Sequence, residues 1–369
     1  MQQKNENVCT LHFPERDSLI IKQERKHMCS QTFWISSYAT PEQEGLIRCR
    51  FDPEKGFEKE AAYSGLTNPS FILEHPVCPV LYTVEEKKEG AVCAWRPGRD
   101  SLRPLARLST EGADPCHLSL SPDGRWLYAA NYTGGSVACF RLDDSGIPTE
   151  QTDLRRHRGN GPWQDRQEAA HAHCVFPRQD RLLVCDLGTD EIVVYRSDRG
   201  ILGECGRLTA PAGSGPRHLA THPAYPDLLF CVTELASTVL IWRATGTDSF
   251  ELIREIPMLP ADYSGANIAA AIRFTKDGRK LLVSHRGLDS IAVMPVSGDG
   301  IPGKPVHSPC VRYPRDFAIA EDNVIIASQT DGEVRAYRLH EDRLEETGMI
   351  IQAQAPVCLQ PCIGRQEYV

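Results

Sequence analysis

The sequence predicts an all-β protein of one architecture, a seven-bladed β-propeller in which small antiparallel sheets close into a ring. Two observations predict it. An apolar run ending in a polar or charged residue recurs seven times, every 43 to 55 residues in most of the chain: FWISSY from Phe33, LYTVEE from Leu81, LYAANY from Leu127, LLVCDL from Leu182, LFCVTE from Leu229, LLVSHR from Leu281 and VIIASQ from Val324. Self-similarity at this period marks propeller blades. After a turn, each phrase is followed by an alternating run that usually closes on an aromatic, reaching Phe51, Trp95, Phe140, Tyr195, Trp242, Met294 and Tyr337. Alternation with period two belongs to half-buried strands. A pair of β-sandwiches would not need one phrase repeated seven times.

Taken in order, residues 1–30 are polar, without period, and read as an N-terminal extension; 31–369 read as a single propeller. Five units show a leading strand before the recurring phrase, clearest in PCHLSLSPDGR from Pro115 and GPRHLATHPAYPD from Gly215. Asp123-Gly124 and Asp277-Gly278 mark tight turns between neighbouring strands. The first unit has no leading strand ahead of Phe33. The tail, APVCLQPC from Ala355 to Cys362, is an unpaired strand-like run that supplies one. A C-terminal strand joining the first blade closes the ring and removes two exposed sheet edges.

Composition excludes several classes. A formal charge of −8 without a basic block argues against a nucleic-acid partner. No apolar run approaches the roughly 18 residues that span a bilayer, so no membrane partner is expected. Lys4, Glu6, Glu15, Arg16 and Asp17 interrupt any secretory signal, and the expected location is cytoplasmic. The 14 cysteines are scattered and never spaced Cys-x-x-Cys, which reads as small buried thiols in a reducing compartment.

The densest polar cluster is RQEAAHAHCV, holding Arg166, His171 and His173 against two apolar runs. In a propeller the leading strands line the central channel, so residues at one phase of different blades converge. His117 and His218 each stand five residues before a proline, Pro122 and Pro223. The count from His173 to Pro177 is one short, which leaves His171 and His173 unranked. A second ring forms at the phrase ends, from Tyr132, Leu187, Glu234, Arg286 and Gln329, with Arg217 and Arg315 adding positive charge. Carboxylate, imidazole and guanidinium at one mouth suit acyl transfer on a small anionic substrate. His173 or Glu234 is the candidate proton acceptor. Arg217 and Arg286 are candidates to stabilise an oxyanion or pair with an anionic group. Arg166, His117, His218, Arg315 and Gln329 are candidate substrate contacts. Plainer roles compete: a structural ion pair for Glu234 with Arg286, and backbone satisfaction for an inner-strand histidine. His171-Ala-His173 offers two nitrogens with no third ligand nearby, so no metal and no cofactor is expected.

The phrases SPDGRWLYAANYTGGSVACF, HRGNGPWQDRQEAAHAHCV, LLVCDLGTDEIVVYR, GSGPRHLATHP and LLVSHRGLDSIAV resemble the seven-bladed propeller lactonase family. That family includes propeller-type bacterial 6-phosphogluconolactonases and fungal carboxy-muconate lactonizing enzymes, and the resemblance spans nearly all of 32–362. It implies metal-independent hydrolysis of a lactone, with 6-phospho-glucono-1,5-lactone as the expected substrate. It also implies a catalytic set of His173 (or His171), Arg217, Glu234 and Arg286. Three positions depart from the family pattern: Ala271 where Glu is usual, His285 in place of Asn, and Asp316 in place of His. Such departures allow a shifted substrate. Two other readings stay open, a lyase or isomerase that closes a lactone from a carboxy-muconate, and a propeller used only for interaction. Against the last, the Gly-His and Trp-Asp punctuation of WD repeats is missing from the units.

Overall fold

The computed structural model describes residues 30–99 and 101–363. All but the last residue of the expected N-terminal extension therefore lies outside the described part. Every sheet among the described residues has four antiparallel strands, and there are seven of them. In the fifth blade the order from the inside outward is Pro216–His222, Tyr225–Thr233, Thr238–Ala244 and Phe250–Pro257. Each recurring phrase forms the second strand of its blade and each alternating run the third. The chain is the seven-bladed β-propeller that the repeat predicts.

Second and third strands read as nearly continuous apolar runs because each sheet is covered on both faces by its neighbours. Phe230 and Ile241 of the fifth blade pack with Ala269, Val283 and Met294 of the sixth. Phe33 and Ile47 of the first pack with Ala318, Ile325 and Val334 of the seventh. Outer strands bury one face at most. Arg343–Gln352 accordingly alternates between exposed and half-buried positions, a weaker sequence signal than its inner neighbours give.

The ring closes through the tail. Pro356–Pro361 pairs antiparallel with Gln31–Ser37, Trp34 opposite Gln360, and becomes the innermost strand of the first blade. Leu359 is fully buried, and its N–H donates to Asp316 Oδ2 of the seventh blade at 2.8 Å. Both Asp-Gly turns form, with Gly124 and Gly278 at φ +68° and +73°, where a Cβ would be strained. The described cysteines from Cys49 to Cys362 are free thiols, most of them buried.

One irregularity sets the geometry of the channel. Six innermost strands slip register near the same mouth. Five of them skip a single residue: Cys116, His173, Arg217, Arg315 and Val357. The sixth, Ile268–Phe274, skips Ala270 and Ala271. A bulge re-aims the extra residue without disturbing the strand beyond it.

Candidate active site

The five single bulge residues line one small void in the channel, together with Ser70, Glu86 and His218. The bulge also ranks the two histidines of the fourth blade. His173 occupies the position that Arg217 and Arg315 occupy in their blades, whereas His171 lies outside it. Spacing along the chain could not separate them, since a bulge adds one residue to the count without marking where in the strand it sits.

Glu234 follows the second strand of the fifth blade and is buried at the mouth. Its Oε2 accepts from Arg217 Nε at 2.7 Å and from an Arg286 terminal nitrogen at 2.8 Å. Its Oε1 accepts from Arg166, which reaches in from the long connection ahead of the fourth blade. Arg217 also donates to Ala270 O at 2.7 Å, and Arg286 to Ala269 O at 3.1 Å. Burial alone would push the Glu234 carboxyl upward, but the charges of Arg286 and Arg217 outweigh it and hold it well below the usual carboxylate range. Three guanidiniums on one carboxylate leave a cationic surplus. Burial and the neighbouring Arg286 charge lower Arg217 to about 10. Arg166 keeps part of its side chain in solvent, and Arg286 Nε has no hydrogen-bond partner among the described residues.

His173 sits beside this group. Its ring meets Tyr132 edge-on at 5.6 Å and His218 at 5.3 Å. Burial first, and then the Arg217 charge, hold its pKa well below the ordinary histidine value, so it is neutral at neutral pH. Its Nδ1 has no hydrogen-bond partner among the described residues. His171 is engaged differently: it stacks on Tyr132 at 4.6 Å, with ring nitrogens 3.1 Å from Tyr132 O and 3.2 Å from Glu168 Oε1. Its backbone N–H donates to the buried Asp186 at 2.8 Å, and Asp186 also binds His157 Nδ1 at 2.7 Å.

His218 and His117 lead away from this mouth. Their rings touch at 5.4 Å, and both border a cavity of about 580 Å³ whose other walls include Phe176, Thr221 and Phe274. Those residues come from the far ends of the innermost strands, so the cavity lies at the opposite mouth. Arg315 and Gln329 lie together in the seventh blade, 3.4 Å apart, and Arg315 donates to Tyr38 OH at 3.0 Å. Tyr38 in turn donates to Glu86 Oε1 at 2.7 Å, and Ser70 donates to the other oxygen. Tyr38 and Glu86 are absent from the sequence-derived candidates. The signal was present, because each is the final residue of its recurring phrase, the position that yields Glu234 and Arg286 elsewhere.

The three departures from the family pattern fall in different places. Ala271 packs in the core between the sixth and seventh blades with Leu282 and Phe317. His285 is buried against His307 at 5.2 Å and near Asn267 at 3.0 Å, away from the channel lining. Asp316 borders the void and pairs with Arg273. Among the described residues no group of three or more His, Cys, Asp and Glu is placed to hold a metal ion, and no helix is long and apolar enough to cross a membrane.

A family model described as "Lactonase, 7-bladed beta-propeller" matches residues 32–361. The chain belongs to the seven-bladed β-propeller lactonase family. A Bacillus subtilis protein named 6-phosphogluconolactonase is 28% identical over 345 residues, covering 89% of this chain and 97% of that one. A Cronobacter sakazakii protein of the same name is 32% identical over 66% of this chain and 72% of its own length. Among solved structures, a Lactobacillus plantarum protein superposes with a TM-score of 0.83 at 28% identity, over 90% of this chain and all of that one. The periplasmic gluconolactonase of Pseudomonas aeruginosa also gives 0.83 over 91% of this chain and 100% of that chain; at 24% identity it speaks for the fold alone.

Proposed function

We propose that this lactonase-family chain hydrolyses a sugar lactone bearing an anionic group, with 6-phospho-glucono-1,5-lactone as the first substrate to test. One observation carries the reading: a buried carboxylate, Glu234, gathers three guanidiniums beside a neutral imidazole, His173, whose Nδ1 has no partner among the described residues. Water attacks the lactone carbonyl and gives a proton to His173. A carboxylate already held by three cations is a poor base, so Glu234 serves as the counter-charge that keeps the arginines in place. Arg217 and Arg286 face the carbonyl oxygen as it becomes negative, where removal of one such donor commonly costs 10²–10³ in rate. Arg166 on one side and Arg315 on the other offer guanidinium to the anionic group of the substrate. The names of the Bacillus and Cronobacter relatives support the phosphorylated lactone as that substrate, and a phosphorylated substrate agrees with the cytoplasm as compartment.

The test compares purified protein with the spontaneous reaction, on phosphorylated and unphosphorylated glucono-1,5-lactone side by side. Acceleration confined to the phosphorylated form supports the full reading. Equal acceleration of both removes the phosphate from it. Turnover of a carboxy-muconate with no lactone hydrolysis would replace it by the lactonizing reaction.

A further inference from the structure

Hydrolysis of an aliphatic lactone needs a second proton transfer that none of the groups above supplies. When the tetrahedral intermediate collapses, the C–O bond to the ring oxygen breaks and its electron pair stays on that oxygen as an alkoxide. Without a proton donor the alkoxide re-closes the ring. We propose that Glu86 is this donor, protonating the leaving ring oxygen from across the void that it shares with His173. The inference rests on the lactone-hydrolase reading of the same site.

Asp316 also borders the void, but its carboxylate is paired with Arg273 and accepts the Leu359 N–H, which leaves Glu86 as the favoured donor. The void holds about 20 Å³ and is bounded by His173, Arg217, Arg315 and Glu86, room for about one water molecule. The carbonyl carbon and ring oxygen of a lactone are bonded neighbours. A lactone seated over one small space therefore presents its carbonyl carbon and its ring oxygen to side chains that border that same space. The partners of the two mouth carboxylates also differ. Glu234 is matched by three guanidiniums, whereas Glu86 meets two hydroxyls, Tyr38 and Ser70. Arg315, whose charge acts on Glu86, donates to Tyr38 OH and to Gln329. Burial, reinforced by the charge of Asp114, raises Glu86 above the usual carboxylate range; Arg315, Ser70 and Tyr38 offset only part of this. The two carboxyls are displaced in opposite directions: Glu234 stays ionised as the counter-charge of the arginines, and Glu86 is the carboxyl that holds a proton more readily.

The cycle balances. Water gives its proton to His173 and its oxygen to the carbonyl carbon; Glu86 gives its proton to the ring oxygen. The product is the open hydroxy acid, leaving Glu86 ionised and His173 protonated. The His173 proton then restores Glu86, and the product acid releases its own proton to solvent.

The experiment is steady-state hydrolysis by Glu86→Gln, which keeps the shape and can still meet both hydroxyls. We expect kcat on the aliphatic sugar lactone to fall 10²–10³-fold with KM within about twofold, in the range of a lost general acid. The wild-type alkaline limb of kcat, the fall in rate as Glu86 ionises, should vanish. On dihydrocoumarin, whose leaving oxygen is a phenol and needs little assistance, the loss should shrink to a few-fold. Tyr38→Phe keeps the carboxyl and removes one donor to its ionised form, so the alkaline limb should move to higher pH; this variant decides the matter if Glu86→Gln does not fold. A Glu86→Gln enzyme with the wild-type rate, or with its alkaline limb intact, overturns the assignment while the lactonase reading stands. A wild-type protein that accelerates no lactone overturns both.

Discussion

Gln167 donates its side-chain amide to Asp190 at 2.8 Å, and through that bond the connection carrying Arg166 is fastened to the turn that leads into Arg217. The same Asp190 carboxylate accepts from Gly213 N at 2.6 Å and Gly215 N at 2.7 Å. Asp190 is buried and holds φ +56°, a conformation that Asp and Asn tolerate better than most residues. Two of the three arginines on Glu234 are thus positioned by one carboxylate outside the channel.

Asp190→Ala strands two buried backbone donors and the Gln167 amide. Removing one partner of a buried, charged hydrogen-bond set costs roughly 3–5 kcal/mol. The melting temperature should fall by roughly 5–10 °C, and specific activity should drop further than the folded fraction does. Asp190→Asn, which keeps an acceptor oxygen and the backbone preference, should lose less on both counts. Equal losses in the two variants would mean that the carboxylate's charge, and not its hydrogen bonds, holds the loops.

Glu234 gives a pH dependence with a definite sign. Its folded pKa lies below the unfolded value, so its contribution to stability is present above about pH 4.3. That contribution is lost as pH falls through the folded value. Glu234→Gln leaves three cations without their counter-charge and should be less stable at neutral pH by roughly 3–5 kcal/mol. The gap to wild type should narrow on acidification. Glu86 has the opposite sign. Its raised folded pKa makes a contribution that is full below about pH 4.3 and disappears as pH rises through the folded value. Melts of Glu86→Gln should therefore come closer to wild type, or exceed it, toward neutral pH.

Much of this site was legible because it sits at the ends of a repeated phrase. Glu234, Arg286 and Gln329 occupy one position of a pattern that the chain writes seven times, and burial of both sheet faces makes that pattern strongly apolar up to its last residue. The bulges were not legible. They set His173, Arg217 and Arg315 as extra residues in the innermost strands, and these strands alternate too weakly for a one-residue shift of phase to show in the local sequence. The partners of Glu86 were equally out of reach: Tyr38 is 48 residues away, and Arg315 belongs to the seventh blade. Only closure of the ring by the tail strand brings the first and seventh blades together. The family comparison pointed to Ala271 and His285 as altered positions, but both face the packing of the sixth blade, where polarity alone could not place them.

The closure itself should be sensitive to one side chain. Leu359 is fully buried in the strand that completes the first blade, among Phe33, Ile35 and Ile47. Leu359→Ala should cost roughly 2–5 kcal/mol. Asp316→Ala removes the acceptor of the Leu359 N–H and the partner of Arg273 together, freeing an edge that joins three blades. Both variants should show faster hydrogen exchange in 356–361 and 31–37 before the other blades are affected. Uniform exchange across all blades would show that the ring opens only as a whole.

The two histidines of the fourth blade should separate cleanly. His171 has both ring nitrogens and one ring face occupied by Glu168 and Tyr132, so His171→Gln should act through the placement of Tyr132 and lower kcat by tenfold or less. His173 has a nitrogen with no partner among the described residues, beside the arginines, and loss of a general base at this place costs about 10²–10⁴ in rate. His173→Gln should therefore fall in that range with KM little changed. The pH profile gives an independent check. A base held neutral by burial and by the Arg217 charge stays competent on the acid side, so the acid limb of kcat/KM should lie well below 6.5, the ordinary histidine value. An acid limb that disappears in His171→Gln and persists in His173→Gln would transfer the base to His171 and leave His173 as part of the channel wall.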